Sequence, residues 1–279
     1  MPRGLARARR RDGDGAVNRG EALLRWAAPG LLGLGVLALW EGLVRAWAVP
    51  DYVLPGPVAI ARALVADWPL LSASLLVTLE VAALALVAAV SVGGLLAVLF
   101  AQSRWVERAL FPYAVVLQVT PVVAIAPLVL IWVNSVTVAL LICAWIVAFF
   151  PILSNTVLGL NSADRNLADL FRLYGATRWQ ALWLLRLPSA LPYFLAGLRV
   201  AGGLALIGAV AAEFVAGVGG SGSGLAFRIL EASFQLRIPR MFAALALISA
   251  CGIAIFALLG LVQHLLLRRW HESALRAER

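Results

Sequence analysis

Residues 72–101 read SASLLVTLEVAALALVAAVSVGGLLAVLFA and contain a single charged side chain, Glu80. A helix needs about 20 apolar residues to cross the hydrocarbon core of a bilayer, so this run is long enough to cross it and to tilt or project beyond it. Five other apolar runs have a similar length, at 26–47, 110–133, 136–158, 191–218 and 242–267. The sequence therefore predicts an all-α, polytopic membrane protein with about six transmembrane helices.

The composition supports this class and excludes an ordinary soluble domain. Hydrophobic residues make up 63% of the 279 residues and charged residues 13%, with a mean hydropathy of +0.94. A soluble chain of this length would carry far more charge on its surface. The formal net charge is +9, and all 23 basic residues are arginines, so their distribution along the chain is informative.

The arginines concentrate on one side of the predicted membrane. Seventeen lie in the N-terminal tail, the loop after the second span, residues 161–188 and the C-terminal tail, whereas five lie in the loops of the opposite side. The positive-inside rule places the arginine-rich side in the cytoplasm. We predict a multi-pass protein of the plasma or inner membrane with both termini cytoplasmic. Its positive charge indicates orientation and contact with the lipid bilayer, with no nucleic-acid partner.

The predicted spans and the arginine distribution divide the chain into three parts. Residues 1–22 are predicted to be a disordered, basic cytoplasmic tail because they are arginine-rich and lack apolar periodicity. Residues 23–270 are the transmembrane domain, and residues 271–279 are a second cytoplasmic tail.

The one long polar internal segment, residues 161–188, reads NSADRNLADLFRLYGATRWQALWLLRLP. Apolar residues recur at helical spacing on both sides of Gly175, which predicts two short amphipathic helices that meet at a glycine turn and end at Pro188. Such helices either lie in the headgroup plane, with Trp179 and Trp183 in the aromatic belt, or pack on a soluble partner through their apolar stripe.

Polar or irregular features inside the spans suggest where function resides. The third span contains Pro112, Pro121 and Pro127, which indicate either a kinked packing helix or a helix that lines a translocation path. Glu213, in the outer third of the fifth span, is either a gate or cavity residue, or a structural group bound to Arg199 or to the backbone.

The other two carboxylates in spans favour simpler explanations. Glu41 is expected at the membrane interface, paired with Arg45 four residues later. Glu80 is expected to begin the second span and to extend its side chain to water.

Nothing in the sequence indicates catalysis, a metal site or a cofactor. Cys143 and Cys251 lie far apart in apolar runs and favour simple packing. No Walker-type phosphate loop occurs, and the glycine-rich residues 217–224 lack its Lys-Ser/Thr ending, which indicates a flexible external loop. An integral membrane enzyme would need clustered His, Asp or Glu, and an ion-coupled secondary transporter would need paired acids at the membrane midplane.

The distal part of the polar segment has a recognisable spacing. Gly175 is followed by nine residues, then by Leu185 and Leu187-Pro188. This resembles the EAA motif of permease subunits in binding-protein-dependent ABC importers. Asp169-Leu170-Phe171 replaces the usual Glu-Ala-Ala, as is common in the nitrate/taurine/aliphatic-sulfonate branch. The resemblance extends from about residue 52 to 270 and includes Val53 to Pro57, Ala124 to Leu128, Phe149 to Pro151, Gly197 to Arg199 and Ala212 to Phe214.

The resemblance implies a type I ABC importer permease, with residues 161–188 as the coupling segment that docks on an ATPase. The residues it assigns to ATPase coupling are Asp169, Phe171, Arg172, Tyr174, Gly175, Ala176, Arg178, Trp179, Leu187 and Pro188. The candidates it assigns to the translocation path are Gln118, Pro121, Pro127, Asn155 and Glu213.

The same resemblance implies the partners. They are two copies of an ABC ATPase subunit, an extracytoplasmic solute-binding protein and a second copy of the permease. The solute would be small and anionic or heterocyclic, such as taurine, a sulfonate, nitrate, or a thiamine or riboflavin precursor.

Overall fold

The computed structural model describes residues 27–217 and 222–268, which form α-helices, one π-helical turn and short connections. In chain order the helices are α1 (Ala27–Ala46), α2 (Pro57–Ala66), α3 (Trp68–Gln102), α4 (Arg104–Val119), α5 (Val122–Trp132), α6 (Val136–Asn161), α7 (Arg165–Leu173), α8 (Arg178–Ala181), α9 (Leu187–Ala216), α10 (Leu225–Phe234) and α11 (Ile238–Leu267). The predicted tails 1–22 and 271–279 lie outside the described residues, as do residues 218–221 of the glycine-rich loop.

In the described part of the chain, five continuous helices are long and apolar enough to cross a membrane: α1, α3, α6, the continuous helix Arg178–Ala216, and α11. The pair α4 and α5 provides a sixth span if the two helices are counted together. The predicted all-α, polytopic fold with about six spans is therefore confirmed. The described helices extend a few residues beyond most of the predicted apolar runs.

Helices α6 and α9 form the centre of the bundle and pack antiparallel at very short range. A Cβ atom added to Gly197 would stand 2.8 Å from the carbonyl oxygen of Pro151, and one added to Gly208 would stand 2.9 Å from Cα of Ala144. Small residues allow helix backbones to approach this closely in membranes. Helix α3 completes the core with buried alanines along one face, and Cys143 and Cys251 pack in or against the same core, as expected.

The position of Glu80 differs from the expectation. Helix α3 begins at Trp68, twelve residues earlier, so Glu80 lies about 18 Å along the helix and not at its start. The predicted span begins at Ser72, whereas the helix also includes Trp68 to Leu71, because Pro69 is compatible with the first turn of a helix.

The third predicted span is not one kinked helix. Helices α4 and α5 meet at an angle of 101°. Thr120 and Pro121 both have extended backbones, with ψ near 121° and 113°, and Pro121 has no N–H to continue the helical ladder. Pro112 and Pro127 lie inside α4 and α5 without breaking them, so the break is specific to Pro121.

The prediction that Pro188 ends a helix is also wrong. The helix that begins at Arg178 continues to Ala216. A π-helical turn at Leu182–Arg186 precedes the proline, and the Leu187 N–H donates to the carbonyl of Leu182, five residues back. A wider turn relieves the clash between a proline ring and the carbonyl before it, so the helix continues.

Two helices in the connections were not predicted. Helices α2 and α10 pack with α11 through a small apolar cluster that includes Leu71, Leu225 and Ile229. Arg240 at the start of α11 donates two hydrogen bonds, each 2.6 Å, to the carboxylate of Asp67. These contacts close one end of the bundle, here called the α10 end. The opposite end, where α3, α6 and α11 finish, is the α7 end.

Candidate functional site

The polar connection between α6 and α9 is a capped helical hairpin, residues 162–181, here called the α7 segment. Asp164 caps α7 by accepting hydrogen bonds from the N–H groups of Asn166 and Leu167, at 2.7 and 3.1 Å. A side-chain acceptor at this position satisfies backbone donors that have no helical partner. The start of the segment is therefore held in one conformation.

A Schellman motif ends α7. The Ala176 N–H donates to the carbonyl of Phe171 and the Gly175 N–H to that of Arg172. Gly175 adopts a left-handed conformation, with φ of +70°, which is the geometry that glycine permits at low cost. The predicted glycine turn is thus present. Thr177 and Gln180 then form a reciprocal capping box that starts the next helix.

The tip of the α7 segment exposes large apolar side chains. Leu173 is 85% exposed, Tyr174 83% and Trp179 62%. A salt bridge of 3.1 Å between Arg172 and Asp169 lies in the same segment, and both of its side chains are exposed. No described residue covers this tip, so it is available to another molecule.

Eight of the ten predicted coupling residues lie together in the α7 segment. They are Asp169, Phe171, Arg172, Tyr174, Gly175, Ala176, Arg178 and Trp179. Leu187 and Pro188 instead belong to the first turn of α9 and are partly buried. Those two residues connect the segment to the central helix of the bundle.

Glu213 is 97% buried and joins three helices at the α10 end. Its Oε2 accepts hydrogen bonds from the Thr78 hydroxyl of α3 and the Ala226 N–H of α10, each at 3.1 Å. The Thr78 hydroxyl in turn accepts from the Leu225 N–H at 2.9 Å. Gly224 lies directly against the carboxylate, where a side chain would collide with it. Of the alternatives, the geometry matches a backbone site, because Arg199 stacks on the ring of Phe256 instead.

The other four path candidates do not converge with Glu213 within the chain. Gln118, Pro121 and Pro127 are exposed along the broken span. Asn155 lies against Gly197 of α9 and donates to the carbonyl of Pro151 at 2.9 Å. Glu213 is sixteen residues further along α9 than Gly197, which corresponds to about 24 Å along the helix. The five residues therefore do not form one pocket in a single copy of the chain.

Thr78 is a site residue that sequence reasoning missed. It is fully buried in α3 and connects Glu213 to the first turn of α10. The available signal was a polar pair at helical spacing, Ser74 and Thr78, inside an otherwise apolar span. Polar groups in neighbouring spans often bind one another because hydrocarbon offers no other partner.

Comparison with known proteins gives consistent results. A family model described as "binding-protein-dependent transport system inner membrane component" matches residues 89–272. A riboflavin transport system permease protein from Chloroflexus aurantiacus is 35% identical, over 85% of this chain and 88% of its own length. A formylaminopyrimidine transport permease protein from Halalkalibacterium halodurans is 34% identical over 86% and 94%. An aliphatic sulfonates transport permease protein from Bacillus subtilis, described as putative, is 29% identical over 89% of each chain.

A solved structure supports the fold. A chain of an amino acid ABC transporter crystallised with histidines superposes with a TM-score of 0.60 and 20% identity. The match covers 74% of this chain and 96% of that chain. At this identity the likeness shows a shared arrangement of helices and nothing about the solute.

Proposed function

This chain belongs to the family of binding-protein-dependent transport system inner membrane components, an ABC transporter permease of the branch that includes nitrate, taurine and sulfonate transporters. On that premise we propose that two copies of it form the translocation path for a small solute, which a soluble binding protein delivers. Two copies of a separate ATPase subunit would supply the energy. The chain itself would perform no catalysis.

The exposed tip of the α7 segment is the observation that carries this proposal. It offers Leu173, Tyr174 and Trp179 to a partner, and apolar anchors of this kind are typical of helix-in-groove contacts. The segment connects α6 directly to the helix that becomes α9, and these two helices form the tightest contact of the bundle. A push on the tip would therefore move the central helix pair.

The arginine distribution supports an orientation for this transporter. The α7 end carries Arg104, Arg172 and Arg178, and the positive-inside rule favours the cytoplasm for it. In that orientation the α7 segment meets an ATPase in the cytoplasm, and the α10 end faces the binding protein outside an inner or plasma membrane. Both chain termini would be cytoplasmic.

The names of the relatives support a proposal for the solute class. One relative is named for riboflavin, a second for a formylaminopyrimidine, and a third for aliphatic sulfonates. We propose a small heterocyclic or anionic solute for this chain. A thermal-shift screen of the cognate binding protein against riboflavin, a formylaminopyrimidine, taurine and nitrate would test this directly. Stabilisation by none of them, with stabilisation by an amino acid or a sugar, would contradict it.

Paired glycine variants test the ATPase contact. Gly175 and Gly217 both have positive φ angles, +70° and +56°, and a Cβ on either would meet open space. Gly175→Arg and Gly217→Arg therefore impose similar backbone strain at opposite ends of the bundle. We expect Gly175→Arg to reduce co-purification of the ATPase about tenfold or more, because it places a long charged side chain in the docking surface. Gly217→Arg should retain the ATPase.

Comparing the two variants distinguishes loss of the ATPase contact from loss of the folded structure. The melting temperature of both variants in the same detergent reports the strain that they share. If Gly175→Arg retained the ATPase and ATP-driven uptake as well as Gly217→Arg does, the α7 segment would not be the coupling contact.

A further inference from the structure

A basic cleft lies at the base of the α7 segment. It has a volume of about 680 Å³ and opens between the corner that joins α3 to α4 and the start of the helix that begins at Arg178. Four arginines line it: Arg104 from the corner, Arg172 from α7, and Arg178 and Arg186 from the helix that follows. Within the described residues no Asp or Glu lines this cleft, although Glu107 and Asp169 line the adjoining cavity that shares Arg104, Arg172 and Arg186 with it. A concave surface with charges of one sign concentrates the opposite charge.

The four guanidinium groups differ in whether they already form hydrogen bonds or ion pairs within the chain. Arg186 donates to the carbonyl of Ala101 at 2.8 Å, which fixes its position at the back of the cleft. Arg172 is paired with the exposed Asp169. Arg104 and Arg178 are exposed, and their side chains form no hydrogen bond or ion pair with another described residue. Two free guanidinium groups beside a fixed one match the oxygens of a phosphate, which accepts paired hydrogen bonds from arginine.

The residues around the cleft are typical of a membrane boundary. The apolar helix α3 finishes at Gln102, which lines the cleft, and Trp105 beside it is 81% exposed. Trp183, in the helix that begins at Arg178 and forms the other side of the cleft, is 65% exposed. Exposed tryptophans at the ends of spans are typical of the headgroup region. Tyr174 and Leu173 at the exposed tip do not line the cleft, but four other predicted coupling residues do: Phe171, Arg172, Ala176 and Arg178.

We propose that this cleft binds the phosphate of an anionic phospholipid from the leaflet at the α7 end. The inference rests on the proposed function for the assignment of that leaflet to the cytoplasm, where anionic lipids are recognised by basic pockets between helices, and for the effect of the lipid on coupling. A bound headgroup would connect the α3–α4 corner to the α7 segment. Because that segment is the proposed ATPase contact, the lipid composition would then tune coupling.

The experiment measures retained lipid by native mass spectrometry of the purified chain. The chain is supplied with equal amounts of dioleoyl phosphatidylglycerol and dioleoyl phosphatidylcholine. The test variant is Arg104→Gln combined with Arg178→Gln, and the matched control is Arg62→Gln combined with Arg237→Gln, two exposed arginines at the α10 end. We expect the unchanged chain and the control to retain phosphatidylglycerol preferentially. Each lost arginine should weaken that preference about fivefold.

Four further outcomes distinguish the possibilities. Equal retention of the two lipids, or an unaltered preference in the test variant with an unaltered melting temperature, would overturn the proposal. Displacement of phosphatidylglycerol by millimolar inorganic phosphate would reassign the cleft to a free anion. Loss of ATPase co-purification without loss of phosphatidylglycerol would reassign the arginines to the ATPase. Because lipid retention is measured without the ATPase, its failure is distinguishable from failure of the proposed function.

Discussion

At the scale of single residues, Glu213 and Thr78 form a buried hydrogen-bond network through Oε2 of the carboxylate, while its Oε1 has no hydrogen-bond partner among the described residues. The Glu213 carboxylate and the Thr78 hydroxyl together accept hydrogen bonds from the first two N–H groups of α10. An acceptor at a helix start satisfies donors that have no helical partner and complements the positive end of the helix dipole. The burial of Glu213 therefore supports the position of α10.

Replacement of Thr78 tests this network. Thr78→Val keeps the shape of the side chain but leaves the Leu225 N–H unsatisfied and removes the donor to Glu213. We expect a loss of about 1–3 kcal/mol in stability, measured as a lower melting temperature in detergent. Thr78→Ser retains the hydroxyl, so its melting temperature should be close to that of the original chain. Equal melting temperatures for the Val and Ser variants would show that the hydroxyl contributes nothing.

A glycine pair tests the packing around Glu213. Gly224→Ala adds a Cβ that collides with the carboxylate of Glu213, whereas Gly222→Ala adds one in open space. Overpacking of this kind costs about 1–3 kcal/mol in the free energy of unfolding, so we expect Gly224→Ala to lower the melting temperature. Gly222→Ala should change the melting temperature little. A neutral result at Gly224 would mean that Glu213 is free to move away from the start of α10.

Residue patterns predicted Glu213 as an important group but not its partners. Thr78 and Glu213 are 135 residues apart in sequence. Nothing local in either span specifies a contact at that separation, which is set by the packing of α3 on α9. The coupling residues were more predictable because their geometry is local, from the cap at Asp164 to the left-handed turn at Gly175.

At the scale of elements, apolar run length predicted the spans because the bilayer sets the length of a crossing helix. It did not predict the 101° break between α4 and α5 or the continuous helix through Pro188. Both depend on how a proline is accommodated by the turn before it: an extended Thr120 in one case and a π-helical turn in the other. Helices α2 and α10 were missed because each has only ten residues, too short to show as a span.

The cap of α7 gives a prediction at this scale. Asp164→Ala removes the acceptor for the N–H groups of Asn166 and Leu167. A lost N-cap costs about 1 kcal/mol, so amide exchange across Arg165–Leu173 should be about fivefold faster while exchange in α6 is unchanged. Hydrogen–deuterium exchange mass spectrometry measures both regions in one sample. Asp164→Asn keeps an acceptor and should restore slow exchange, and identical exchange in all three chains would contradict the capping role.

At the scale of the whole molecule, the bundle has two chemically different ends. The α10 end is closed by the Asp67–Arg240 pair and the Glu213 network, both of which fasten connecting helices to spans. The α7 end carries a projecting, capped segment with exposed apolar side chains. We infer that the α10 end is the more rigid of the two and that motion enters through the α7 segment.

Orientation in the membrane is testable with a matched pair of tyrosines. Tyr174 is 83% exposed at the α7 end and Tyr52 is 66% exposed at the α10 end. In a chain whose Cys143 and Cys251 are replaced by alanine, we expect Tyr52→Cys to react with a membrane-impermeant maleimide in intact spheroplasts. Tyr174→Cys should react only after permeabilisation. The reverse pattern would invert the assigned orientation.

Site-specific photo-cross-linking tests whether the tip of the α7 segment contacts a separate ATPase subunit. A photoreactive phenylalanine analogue replaces Tyr174 in one chain and Tyr52 in the other, and both are irradiated in native membranes. We expect the Tyr174 position to form an adduct whose partner is identified by mass spectrometry as an ABC ATPase, and we expect no such adduct from the Tyr52 position. An ATPase adduct from Tyr52, or adducts from Tyr174 with lipid alone, would contradict this contact.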